Sequence, residues 1–299
     1  MRAGLLLSIL ALAPPQEKEA GDPARFFDYD TGAPIDLRVS SEESVDGVTV
    51  QDVHYASAKT GRVPGYLVLP AGDGPFAAVV FMHWGQGDRT EFLSEALLLA
   101  KAGAVSLMID APYHRPDVES GAFVAEPEKE RDGYIQLVSD LRRGFDLLSA
   151  RRDVDPKRLG YVGHSLGATW GGALAGLEKR AAAFVLMGGL PRLTDVLGDD
   201  AYALLMQKAF TRAQLERYVA VLSPINPERL VDKAAAGSIL FQFARHDRFI
   251  SEKMASIYVK AAGPSHEVRW YFTSHEFNDP ASPRDRMEFL RKKLALAPR

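Results

Sequence analysis

Apolar and polar residues alternate in blocks along this chain. Five short, almost purely apolar runs stand out: "FAAVVFMHW" (76–84), "AVSLMIDAP" (104–112), "RLGYVGH" (158–164), "AAFVLMGG" (182–189) and "SILFQFARHD" (238–247). Runs of that length and purity predict strands covered on both faces. Between them lie segments of helical period. "RTEFLSEALLLAKAG" (89–103) closes on a glycine, a common helix stop. Further on, Tyr134, Leu137, Leu141, Phe145 and Leu148 recur at spacings of three and four, which stacks them on one helix face. "LGATWGGALAGLEKR", "SEKMASIYVKAAG" and "SPRDRMEFLRKKLAL" predict three more helices, with "EVRWYFTSH" (267–275) a strand between the last two.

Upstream, "GVTVQDVHYASA" and "RVPGYLVLPA" read as two strands around a turn at Lys59-Thr60-Gly61. From residue 76 onward strand and helix alternate. Consecutive parallel strands need such crossovers, so the expected product is an α/β fold: a mostly parallel central sheet covered by helices on both faces. Residues 190–237 break the rhythm with a helical stretch, "DDAYALLMQKAFTRAQLERYVAVL", expected as an insertion over the strand ends. The domain is expected over 47–299, after a polar arm at 14–46.

Residues 1–13 differ from all of this. Arg2, an apolar run from Gly4 to Leu12 and an Ala11-Leu12-Ala13 site have the layout of an export signal, too short to span a bilayer. The expected location is therefore periplasmic or secreted if this segment is an export signal, and otherwise cytoplasmic, with no transmembrane anchor. The 299 residues include 46% hydrophobic and 25% charged side chains, ordinary for a globular protein. A net charge of −3 gives no footprint for nucleic acid. No cysteine is present, which excludes disulfides and a thiol nucleophile.

The candidate chemistry starts at Gly163-His164-Ser165-Leu166-Gly167, a G-x-S-x-G pentapeptide. It lies between an apolar strand and an Ala/Gly-rich helix, the context a strained strand-to-helix elbow requires. Ser165 is the expected nucleophile. The Leu166 N–H, at the helix start, is an expected oxyanion donor. A serine needs a base, and the base an orienting acid; with this elbow they follow in the order acid, then histidine. Asp247 ends the run "ILFQFARHD" and His275 ends "VRWYFTSH", so both belong on the rim that carries Ser165. Asp195 is the second choice for the acid. His54, His83 and His114 precede the serine; His164 is read as packing and His246 as structural; His266 starts a strand, at the wrong end; Glu276 is too close to the histidine to orient it. The second oxyanion donor is expected in "HWGQG" after the first buried strand, from either Trp84 or Gly85.

With these positions, the chain resembles the α/β-hydrolase superfamily over about residues 47–299, and within it dienelactone-hydrolase-like and prolyl-oligopeptidase-type serine hydrolases. "VVFMHWGQG", "MIDAPYHRP", "DVDPKRLGYVGHSLG", "FARHDRFIS" and "SHEF" carry the resemblance. It implies hydrolysis of a small-molecule carboxylic ester through an acyl-enzyme on Ser165, with no cofactor and no metal. A peptidase or amidase using the same three residues, or a non-catalytic binding protein of this fold, are the alternatives. Two departures stand out. His83-Trp84 replaces the family's His-Gly pair, and the cysteine of dienelactone hydrolases proper is lacking.

Overall fold

The computed structural model describes residues 21–115, 123–193, 195 and 208–297. Residues 1–13, where an export signal is expected, and residues 194 and 196–207 of the expected insertion lie outside the described residues. Among the described residues, nine strands form one sheet in the order β1-β2-β3-β5-β4-β6-β7-β8-β9. They are β1 Arg38–Val45, β2 Val48–Ala56, β3 Arg62–Leu69, β4 Phe76–Met82, β5 Ala104–Ile109, β6 Val154–His164, β7 Ala181–Met187, β8 Ile239–Ala244 and β9 Glu267–Tyr271. β1, β2 and β3 pair antiparallel, as does β3 with β5; every pairing from β5 through β4 to β9 is parallel.

β1 is a difference from the sequence reading, which placed 38–45 in a surface arm. The arm adds a strand to the sheet edge, and its Phe27 is fully buried. All eight residues of β1 are exposed, so backbone pairing with β2 holds it rather than burial.

The six described α-helices are α1 Leu93–Lys101, α2 Pro127–Ser149, α3 Leu166–Leu177, α4 Arg212–Leu222, α5 Glu252–Ala262 and α6 Ala281–Leu294. Adjacent residues on the central strands point to opposite faces, which makes two apolar layers. Val80, Tyr161, Phe184 and Phe241 enter the layer under α2, α3 and α5. Val79, Val162, Val185 and Leu240 enter the layer under α1 and α6. This two-sided burial is why those strands read as unbroken apolar runs. α4 is the described helix of the insertion and packs on α2.

The topology also places a site. After β4 the chain goes to β5 on one side and returns to β6 on the other. The crevice outside the carboxyl ends of β4 and β6 is therefore a switch point, where open α/β sheets bind ligands.

Candidate active site

β6 ends at His164 and α3 begins at Leu166, which leaves Ser165 alone to turn the chain. Its backbone sits at φ 52°, ψ −107°, a conformation costly for a side chain other than glycine. Three bonds hold it there. The Ser165 N–H donates to the Met187 carbonyl at 2.7 Å, and Thr169 donates to the Ser165 carbonyl from its N–H (2.8 Å) and its Oγ1 (3.0 Å). The flanking glycines are required by space. A Cβ at 163 would lie 2.5 Å from the Gly167 backbone, and one at 167 would collide with the Met82 carbonyl. The turn is tight because β4, β6 and α3 meet there without side chains between them.

Asp247 stands on the loop after β8 and His275 on the loop after β9. The two loops are joined by backbone bonds from Arg245 to Tyr271 and from His246 to Thr273. His275 Nδ1 lies 2.7 Å from Asp247 Oδ2, with both side chains only 1% exposed. Asp247 Oδ1 accepts from the N–H groups of Phe249 (2.8 Å) and Ile250 (2.9 Å), which fixes the carboxylate plane. A nitrogen facing a carboxylate carries the proton, so the Nε2 lone pair is left for a substrate-side proton.

The imidazole and the serine elbow share a wall. A Cβ at Gly188 would lie 3.4 Å from the His275 ring, and Gly188 follows Met187, the acceptor for the Ser165 N–H. The His275 ring centroid is 5.2 Å from that of His164, Ser165's chain neighbour, and Phe249 meets it edge-on at 4.9 Å. Among the described residues, no hydrogen bond joins the Ser165 hydroxyl to His275; in ligand-free sites this contact commonly closes only with substrate bound.

The loop expected to supply the second oxyanion donor follows β4. Here the two expected donors separate. The Trp84 N–H donates to Glu91 Oε2 at 2.8 Å, so it is already engaged within the loop. The Gly85 N–H has no partner among the described residues, and neither does that of Leu166. Trp84 contributes its ring, which stacks on His164 at 6.0 Å. The buried His83 pins this loop to the end of β5. Its Nδ1 is 2.6 Å from the Trp84 carbonyl, and its Nε2 accepts from the Ala111 N–H at 3.1 Å. Burial lowers its pKa below the ordinary histidine value, consistent with a neutral ring in that double contact.

The remaining candidates are engaged elsewhere. Asp195 is bonded to Arg192 at 2.7 Å. His266 bridges the Ala262 carbonyl and the Ile239 N–H; His246 packs edge-on against Phe272. Glu276 binds Ser274 and Arg248. His114 is exposed, with Nε2 3.3 Å from the Gly85 carbonyl. His164, read from sequence as packing, instead contacts Glu91 and the His275 carbonyl. Glu91 escaped the sequence reading altogether, because nothing in its spacing marks a residue on a helix-entry turn as a partner of the elbow. Among the described residues, no cluster of three metal-ligating side chains and no helix long and apolar enough to cross a membrane occurs.

No protein-family model matches the chain. Solved structures do. An acetyl xylan esterase from a Paenibacillus species superposes with a TM-score of 0.76 at 20% identity, covering 91% of this chain and 93% of that one. Acetyl xylan esterase 1 from a Thermoanaerobacterium species superposes with a TM-score of 0.75 at 15% identity, covering 94% and 95%. The fold is that of the α/β-hydrolases. Among curated relatives, acyl-coenzyme A amino acid N-acyltransferase 2 of Rattus norvegicus is 26% identical over 210 residues, 66% of this chain and 46% of that protein. The chain spans less than half the length of the curated relatives it matches.

Proposed function

We propose that this chain is a serine hydrolase that cleaves small carboxylic esters through an acyl-enzyme. Ser165 Oγ attacks the acyl carbon while His275 Nε2 takes its proton. The tetrahedral oxyanion is received by the N–H groups of Leu166 and Gly85, each worth about 2.7–4 kcal/mol of transition-state stabilisation. His275 then hands its proton to the leaving alcohol. Water repeats the cycle on the acyl group. Asp247 keeps the imidazole in the tautomer that leaves Nε2 free and stabilises the imidazolium.

The observation that carries this reading is the 2.7 Å contact between His275 Nδ1 and Asp247 Oδ2, beside a serine held at φ 52°. A buried carboxylate orienting an imidazole next to a strained serine serves acyl transfer and has no evident structural purpose. The esterases among the structural neighbours support an ester over an amide as substrate.

The test is labelling with a fluorophosphonate, followed by mapping of the modified residue, alongside hydrolysis of 4-nitrophenyl acetate and of an aminoacyl 4-nitroanilide. Modification at Ser165, loss of both labelling and hydrolysis in Ser165→Ala, and preference for the ester are expected. Turnover retained by a folded Ser165→Ala chain would refute the nucleophile; preference for the anilide would reassign the enzyme as an amidase.

A further inference from the structure

His164 sits between the serine elbow and the loop of the base, and both of its ring nitrogens face acceptors. Nε2 lies 2.8 Å from the backbone carbonyl of His275. A carbonyl cannot donate, so Nε2 carries a proton. Nδ1 lies 2.5 Å from Glu91 Oε1. A hydrogen bond in which one partner is ionised is about twice as strong as a neutral one. The other oxygen of Glu91 accepts the Trp84 N–H at 2.8 Å. The His164 side chain is 4% exposed and the Glu91 side chain 20%. The Trp84 ring lies nearly parallel to the His164 ring, 18° between planes, and the Phe277 ring meets it edge-on.

One carboxylate and one imidazole thus join three segments that the reaction needs in register. Glu91 holds the main chain at Trp84, one residue before the Gly85 N–H. His164 follows the strand into Ser165. Its Nε2–H holds the main chain of His275 itself. The His164 ring thus holds the base's backbone while Asp247 holds its side chain.

We propose that Glu91 and His164 are a positioning pair for the Ser165 reaction. Glu91 sets the direction of the Gly85 donor, and His164 sets the distance of His275 from the nucleophile. The proposal rests on the serine-hydrolase reading above. Neither residue touches the reacting atoms. Their loss changes how often the oxyanion donor, nucleophile and base align, and a displacement of about 1 Å costs up to about 10²-fold in rate.

Glu91→Ala, Glu91→Gln, His164→Leu and Ser165→Ala are compared with the native chain. 4-Nitrophenyl acetate is the substrate, and kcat is expressed per folded chain, measured by circular dichroism, so that unfolded protein does not count. Glu91→Ala and His164→Leu are expected to lower kcat by about 10- to 100-fold with little change in KM. Glu91→Gln is expected to recover most of the loss. Its amide oxygen still accepts from Trp84, and its NH2 donates to Nδ1, which leaves the ring's single proton on Nε2 for the His275 carbonyl. Native kcat in Glu91→Ala, or a loss in Glu91→Gln as large as in Glu91→Ala, overturns the pair. If His164→Leu does not fold, the two Glu91 variants decide, since that side chain lies on a partly exposed turn. Hydrolysis persisting in Ser165→Ala would sink the parent reading; a dead Ser165→Ala beside an unimpaired Glu91→Ala would sink the positioning pair alone.

Discussion

Asp247 grips His275 across 28 residues of chain: Oδ2 accepts from Nδ1–H at 2.7 Å while Oδ1 is tied to two backbone N–H groups. The carboxylate therefore cannot rotate, and the imidazole tautomer is set by the loop after β8. Asp247→Asn preserves the shape and reverses this logic. The amide oxygen keeps the two backbone bonds, and the NH2 meets Nδ1 as a donor. The ring proton must then move to Nε2, where it blocks proton removal from Ser165. The expected fall in kcat for 4-nitrophenyl acetate is up to about 10⁴-fold. Asp195→Asn, which alters only the pairing with Arg192, should leave turnover unchanged. A reversed order in steady-state kinetics would hand the orienting role to Asp195.

The second donor can be tested through the backbone. A Cβ at Gly85 would meet open space, so Gly85→Ala keeps the N–H without crowding. Gly85→Pro removes the N–H. The proline variant should lose about 10²–10³-fold in kcat while the alanine variant stays close to native. Equal activity in the two would show that the oxyanion is stabilised from elsewhere in the loop.

Gly167 fixes how closely α3 approaches β4. A Cβ there would collide with the Met82 carbonyl, a backbone atom that cannot rotate aside. Gly167→Ala must push the helix start outward, together with the Leu166 N–H. Forced overpacking of this kind costs about 1–3 kcal/mol. Thermal unfolding should register that loss, and hydrolysis should fall by more than the loss of folded protein explains. A native melting temperature would show that the elbow has slack.

These cases show what the sequence could reveal. The buried strands were legible because a strand covered on both faces has no polar positions to confuse the period. Ser165, Asp247 and His275 could be placed on one rim from sequence because each lies within four residues of the end of a parallel strand, β6, β8 or β9, and a parallel sheet delivers every strand end to one rim. β1 was not, since "RVSSEESV" buries nothing and pairs only through its backbone. Trp84 and Gly85 could not be told apart, because the direction of a loop N–H depends on a contact such as that with Glu91. The same holds for His164, whose apparent redundancy beside the nucleophile dissolves only when the loop of His275 is folded against it.

Glu130 provides a pH test that is independent of the chemistry. It lies on α2 facing α4. Its Oε1 accepts from Tyr134 at 2.5 Å and from Tyr218 at 3.5 Å, while its buried Oε2 has no partner among the described residues. Burial pushes the carboxyl from its ordinary 4.5 up to about 7. The folded chain therefore holds this proton more tightly than the unfolded chain. The associated stability is complete below pH ~4.5 and is lost as pH rises to about 7, where the folded carboxyl also ionises. Glu130→Gln keeps a neutral side chain of the same size and removes the dependence. At 1.36 kcal/mol per pKa unit, the variant should gain about 2–3 kcal/mol on the native chain between pH 5 and pH 8. Urea unfolding at both values measures the difference. Curves that shift in parallel would mean that the carboxyl is ionised in the folded chain throughout, and that the contact of α2 with α4 does not depend on its proton.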